Sequence, residues 1–280
     1  MSAIYRSPEG EQALKAAYAG FRQAWPIARQ ELLIPTSAGE TFVVASGDPA
    51  NPPLVLLHGA GSNSFMWMGD VASWVERFRV YAVDIPGEPG ESAPVRPPRS
   101  GDIQAQWLDE VLIGLGVARA SLVGNSLGGW HALDYAIRRP GKVEKLVLLA
   151  PGGLGRVKAA FLVQSALLAL TVAPGRRRLL ARVGGGATPP AVAKYLELIF
   201  THFVPRRDAL PRFAKADLAR LKAPILMYLG AKDALLDSAG SRRRLGRAAP
   251  HARIVVLPEA GHFLGGFTEQ ILAFLAGPAR

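Results

Sequence analysis

Short uninterrupted apolar runs recur along the chain, at residues 54–57, 80–83, 122–123, 146–149, 225–229 and 254–257. A strand with one wet face alternates apolar and polar residues. A run without alternation fits a strand covered on both faces, as in a parallel sheet. Between the runs lie segments with helical spacing, at 65–78, 104–115, 127–138, 238–248 and 266–275. Strands alternating with helices predict an α/β protein with a doubly wound, mostly parallel sheet, whose chemistry lies beyond the carboxyl ends of the strands.

A different pattern precedes this rhythm, and the rhythm itself breaks once. Residues 9–25 place Leu14, Ala17, Tyr18 and Phe21 on one helical face, and Pro26 stops the helix. Segments 31–35 and 41–46 flank a Gly turn and predict a β-hairpin at one sheet edge. From 151 to 223 there are apolar helical segments but no clear strand, punctuated by Pro174-Gly175, Gly184-Gly185-Gly186 and Pro189-Pro190. The expected organisation is one structural domain, with a core of 1–150 and 224–280 and a helical cap of 151–223 inserted over the strand ends. Phe161, Leu162, Leu167, Leu168, Tyr195, Leu198 and Ile199 either line an apolar pocket in that cap or simply pack it onto the sheet.

Composition narrows the chemistry. The 280 residues include no cysteine, which excludes disulfides, thiolate nucleophiles and zinc–thiolate sites and fits a reducing compartment. The first ten residues are mixed and polar, unlike a secretory signal. The most apolar run, 159–173, is shorter than the ~20 residues a bilayer requires. A cytoplasmic protein without membrane insertion is expected. The formal net charge is +11, much of it in short runs at 138–139, 176–178, 206–207 and 242–244. No aromatic interleaving or helix-turn-helix pattern accompanies them, and no nucleic-acid partner is expected. Solvated surface arginine explains them; attraction to an anionic substrate or membrane surface is the alternative.

The most informative stretch is Gly124-Asn125-Ser126-Leu127-Gly128, set between an apolar strand and a helix beginning at Leu127. A serine on so tight a turn needs small residues two positions before and after it, here Gly124 and Gly128. The helix start aims free N–H groups at developing negative charge. His58-Gly59-Ala60-Gly61 follows the strand at 54–57. Its backbone can approach an acyl oxygen closely, so the N–H groups of Ala60 and Leu127 are the expected oxyanion donors, with His58 and Gly59 bracing the loop. The Walker ending of a phosphate loop is missing.

A serine hydroxyl needs a base to take its proton. Of five histidines, His262 lies just past the last predicted strand, at the active edge. His58 is in the oxyanion loop, His131 more than a turn into a helix, His202 in the cap, and His251 at the opposite edge. Asp233, just after the strand at 225–229, is the expected carboxylate partner; Asp237 is the alternative, and Asp84 is expected to brace loops. The chain order Ser, Asp, His is that of α/β-hydrolases.

Together, His58-Gly59, Asp84-Ile85-Pro86-Gly87, the Ser126 turn, Gly230 to Asp233 and Gly261-His262 resemble the α/β-hydrolase superfamily over nearly the whole chain. The segment from His58 through Trp67 to Gly87, and that around Trp107, are similar to bacterial carboxylesterases of the profen-ester hydrolase type. Gly124 to Gly129 and Pro151-Gly152-Gly153-Leu154-Gly155 are similar to meta-cleavage-product hydrolases, which break carbon–carbon bonds. Those enzymes commonly carry Trp after the catalytic His, where this chain has Phe263, and Pro in the oxyanion loop. The resemblance therefore implies a carboxylesterase acting on a small-molecule ester with an apolar acyl group, needing neither metal nor organic cofactor. The alternatives are a carbon–carbon hydrolase and a non-catalytic binding protein of the same fold. Nothing in the pattern fixes an oligomeric state.

Overall fold

A computed structural model of the chain describes residues 4–158 and 190–278. Eight strands form one sheet: β1 (Arg29–Thr36), β2 (Gly39–Ser46), β3 (Pro53–Leu57), β4 (Arg79–Val83), β5 (Ala120–Asn125), β6 (Val143–Leu149), β7 (Ile225–Gly230) and β8 (Arg253–Leu257). Their spatial order is β1-β2-β4-β3-β5-β6-β7-β8. The hairpin β1–β2 is antiparallel and joins β4 antiparallel, while every pairing from β4 through β8 is parallel.

The uninterrupted apolar runs have the origin the pattern predicts. Successive side chains of a strand point to opposite faces. Val55 and Leu57 enter one core layer with Tyr81, Val83, Leu122, Leu146 and Leu148. Leu54 and Leu56 enter the other with Val80, Ala82, Val123, Val147 and Leu149. Each valine or leucine among them contributes about 1.5–3 kcal/mol by leaving water. Truncating Leu56, fully buried, to alanine should cost about 2–5 kcal/mol.

Helices cover both faces. On the first lie α3 (Ile103–Gly114) and α4 (Leu127–Arg138), counting as α1 the N-terminal helix Pro8–Gln23 and as α2 the short turn Val71–Trp74. On the second lie α2 and the C-terminal helix Thr268–Ala276. The expected helix over 65–78 is instead a 3-10 turn (Ser64–Trp67) followed by α2. Asn63 Oδ1 caps the 3-10 turn by accepting the Phe65 N–H at 3.3 Å, and Asp70, which precedes α2, accepts from Thr268 Oγ1 through its Oδ1.

Helix α1 starts where Ser7 Oγ accepts the Gly10 N–H at 3.1 Å, with Pro8 in its first turn. It packs on α5 (Pro190–His202). Their shared cluster buries Leu14, Tyr18, Phe65, Tyr195 and Ile199. Of the cap side chains named above, Tyr195, Leu198 and Ile199 belong to this cluster with α1 and Phe65; Phe161, Leu162, Leu167 and Leu168 lie outside the described residues. Between β6 and β7 the described residues contain no strand, only α5, the short α6 (Lys215–Leu218) and loops. Helix α7 (Ser238–Ala248) joins β7 to β8, which makes the C-terminal helix α8. None of the described helices is long and apolar enough to cross a membrane.

Candidate active site

Ser126 sits between β5 and α4 with φ +48°, a left-handed conformation that a non-glycine residue reaches only at a cost of about 1–2 kcal/mol. Surrounding bonds hold it there. Its N–H donates to Leu149 O at 2.8 Å, and its carbonyl accepts from Gly152 N at 2.9 Å and Trp130 N at 3.1 Å. The glycines on either side are required by contact: a Cβ on Gly124 would run into the Gly128 carbonyl, and one on Gly128 into the Leu57 carbonyl. The Gly128 N–H donates to His58 O at 2.9 Å, joining the serine turn to the loop after β3.

His262 follows β8 on a loop laced to the one after β7, where Ala231 N donates to Leu257 O and Lys232 N to Ala260 O, each at 2.9 Å. This brings the two loops into register. His262 Nδ1 lies 2.8 Å from Asp233 Oδ2, and His262 Nε2 lies 3.0 Å from Ser126 Oγ. A carboxylate only accepts, so Nδ1 carries the proton and the Nε2 lone pair faces the serine. Asp233 Oδ1 accepts the N–H groups of Leu235 and Leu236 at 2.7 and 2.9 Å. Burial pushes the Asp233 carboxyl up, but the bond from His262 and these two N–H donors outweigh it and hold it below its ordinary value. Asp237 is placed differently: its Oδ1 caps α7 through Gly240 N at 2.9 Å.

Ala60 and Leu127 line the same cleft as Ser126, about 520 Å³ in volume. Among the described residues the backbone N–H of neither has a partner within the protein. His58 braces from behind. The Ile85 N–H donates to its Nε2 at 2.9 Å, so Nδ1 carries the hydrogen and donates to Gly59 O at 2.8 Å. Complete burial keeps it neutral by pulling its pKa down. Asp84, fully buried, accepts from Tyr18 Oη (3.1 Å), Ser64 N (2.8 Å), Ser64 Oγ (2.6 Å) and Glu91 N (2.9 Å). Those bonds pin α1 and the loops to the end of β4. The remaining histidines are apart: His131 is buried between Trp107 and Trp130, His202 closes α5, and His251 Nε2 bonds to Ala223 O at 3.1 Å.

Two supports had no sequence signal of their own. Buried Glu88 accepts the Gly61 N–H at 2.7 Å and so holds the residue next to Ala60; only its place after Asp84-Ile85-Pro86-Gly87 could have drawn notice. Lys158 Nζ donates to Asp233 O at 2.6 Å.

A strand-borne serine at positive φ, facing a histidine that is itself held by a buried aspartate, on this strand order, is the architecture of a hydrolase. The chain belongs to the alpha/beta hydrolase family, whose model matches residues 54–272. It is 30% identical over 254 residues to the Bacillus subtilis (strain 168) protein named uncharacterized carboxylesterase nap, covering 86% of this chain and 83% of that one. It is also similar to the solved structure of carboxylesterase CesB (YbfK) from Bacillus subtilis, with TM-score 0.87 and 27% identity over 96% of this chain and 99% of the other. A meta-cleavage product hydrolase from Pseudomonas fluorescens shares the fold at TM-score 0.70 and 23% identity, over 87% of this chain and 97% of that one.

Proposed function

We propose that the protein hydrolyses carboxylic esters of small molecules through an acyl-enzyme on Ser126. The observation that carries this reading is the continuous relay from Ser126 Oγ to His262 Nε2 (3.0 Å) and from His262 Nδ1 to Asp233 Oδ2 (2.8 Å). Ser126 Oγ attacks the ester carbonyl as His262 Nε2 takes its proton. The carbonyl oxygen becomes an oxyanion and receives the N–H groups of Ala60 and Leu127. His262 then returns the proton to the departing alcohol, and the carbonyl re-forms as the acyl-serine. A water, deprotonated by His262, attacks the acyl-serine and releases the acid, restoring the serine hydroxyl. Asp233 keeps the imidazole in one tautomer and balances its charge when it is protonated. Protein groups and water complete every step.

Similarity to proteins named carboxylesterases across most of the chain supports ester over carbon–carbon cleavage. The cytoplasm is the compartment proposed, in keeping with a cysteine-free chain. The test is hydrolysis of p-nitrophenyl butyrate by the wild type and by Ser126→Ala, both verified as folded. Turnover by the wild type alone is expected. Equal turnover by the variant would remove Ser126 from the reaction.

A further inference from the structure

The cleft at Ser126 does not end at the catalytic groups. Gly155, Arg156 and Arg212 line both it and a second recess of about 320 Å³. The second recess adds Arg243, Arg244 and Arg247 from α7, so five arginines surround a space whose sole lining carboxylate among the described residues is Asp237. That carboxylate already caps α7.

The arginines differ in what they do. Arg244 is structural: it donates to Leu154 O at 2.6 Å and to Phe213 O, tying α7 to the loops beside it. Arg156, Arg212, Arg243 and Arg247 have no acidic or hydrogen-bonding partner for their side chains among the described residues. Arg22 pairs with Glu31 and Glu91, Arg139 with Asp102 and Asp109, and Arg99 and Arg206 with Asp208, whereas these four are solvent-exposed and share one recess. Arg243 and Arg247 stand four residues apart on one helix, where like charges repel. Three separate segments thus bring four arginines without a direct partner among the described residues to one recess, against the single carboxylate of Asp237. A guanidinium presents a planar fork matched to the oxygens of a carboxylate or phosphate.

Resting on the ester-hydrolase reading, we infer that this recess is an anion subsite, and that the preferred substrates are esters bearing a carboxylate or phosphate on an arm running past Arg156 and Arg212.

The test compares kcat/KM for p-nitrophenyl hemiesters of dicarboxylic acids, over a series of chain lengths, with that for their methyl-capped counterparts. Phenyl butyrates with a ω-carboxyalkyl arm, against their methyl esters, place the anion on the leaving side. At some length on one arm the acid should exceed its methyl ester by about tenfold, the scale of one charge-assisted hydrogen bond. The ratio should shrink with added salt and collapse toward one in Arg243→Gln/Arg247→Gln. Ratios at or below one throughout, or a ratio unchanged in the double variant, overturn the inference. Inorganic phosphate should raise KM for the acid and not for the methyl ester; an equal effect on both would make the recess a site for a free anion and overturn the substrate assignment. Failure of the folded wild type to cleave any neutral ester would count against the hydrolase reading alone. In that event calorimetric binding of suberate to Ser126→Ala, lost on adding Arg243→Gln/Arg247→Gln, still decides the subsite. Suberate binding that survives those changes, or none at all, overturns it.

Discussion

Replacing Asp233 with asparagine keeps the side chain's shape and removes its charge, and the structure determines how the amide must point. Asp233 Oδ1 accepts two backbone N–H groups, from Leu235 and Leu236, at 2.7 and 2.9 Å. An NH2 group there would face two donors, so the amide oxygen stays with them and the NH2 takes the place of Oδ2. It then donates toward His262 Nδ1, which must give up its hydrogen and become an acceptor. The ring adopts the other tautomer, with its hydrogen on Nε2, pointing at Ser126 Oγ. A base that arrives already protonated cannot take the serine proton. The expected loss in kcat is about ten-thousand-fold, or about 5 kcal/mol in barrier. The fold should persist, because the loop bonds to the amide oxygen are retained. The assay is steady-state hydrolysis of p-nitrophenyl butyrate by Asp233→Asn and by Asp237→Asn, with thermal unfolding of both. Asparagine caps a helix about as well as aspartate, so Asp237→Asn should keep its activity. Near-wild-type kcat in Asp233→Asn, or collapse in Asp237→Asn at an unchanged Tm, would refute the assignment of the acid.

Other consequences follow from the supports. Gly128→Ala should lower both Tm and kcat, because its methyl displaces the Leu57 carbonyl and with it the His58–Ala60 loop; an unchanged Tm would contradict that contact. Asp84→Ala leaves the Tyr18 hydroxyl and the Ser64 and Glu91 N–H groups without their acceptor. It should cost more than about 2 kcal/mol in urea unfolding, and a smaller loss would show that water replaces the carboxylate. Burial is the largest influence on Glu88 and pushes its carboxyl from 4.5 up to about 7, against the Gly61 N–H and nearby arginines. Between those values the native protein binds more protons than the unfolded chain, so stability falls as pH rises through that window. Glu88→Gln removes the effect, so its stability relative to wild type should improve from pH 5 to pH 8 by up to about 3 kcal/mol; a pH-independent difference would contradict the raised pKa.

The parallel part of the sheet was legible because strands buried on both faces leave apolar runs, as in β3 to β7, and the partly buried edge strand β8 carries one too. The neighbourhood of Ser126, His262 and Asp233 was legible for a related reason: each stands just beyond a predicted strand, where one edge of the sheet collects them. Periodicity marked 65–78 as one helix, where the chain forms two short helical turns, Ser64–Trp67 and Val71–Trp74, joined across Gly69. It left Tyr195 and Ile199 open between a pocket and packing, because a helical face has one pattern whether it meets a ligand or α1. Glu88 was beyond reach: a glutamate is ordinarily exposed, and its burial over Gly61 depends on loops brought together from distant segments. The arginine run at 242–244 reads as solvated surface, and Arg242 and Arg243 are exposed; that Arg156 and Arg212 border the same recess as Arg243 and Arg244 was not legible, because they lie far away in the chain.

Mass spectrometry after treatment with a fluorophosphonate asks whether Ser126 is the residue that forms the acyl-enzyme. The folded wild type should gain a single adduct that maps to Ser126 and is absent from Ser126→Ala. A folded protein that stays unlabelled, or an adduct on another residue that persists in Ser126→Ala, would contradict that role.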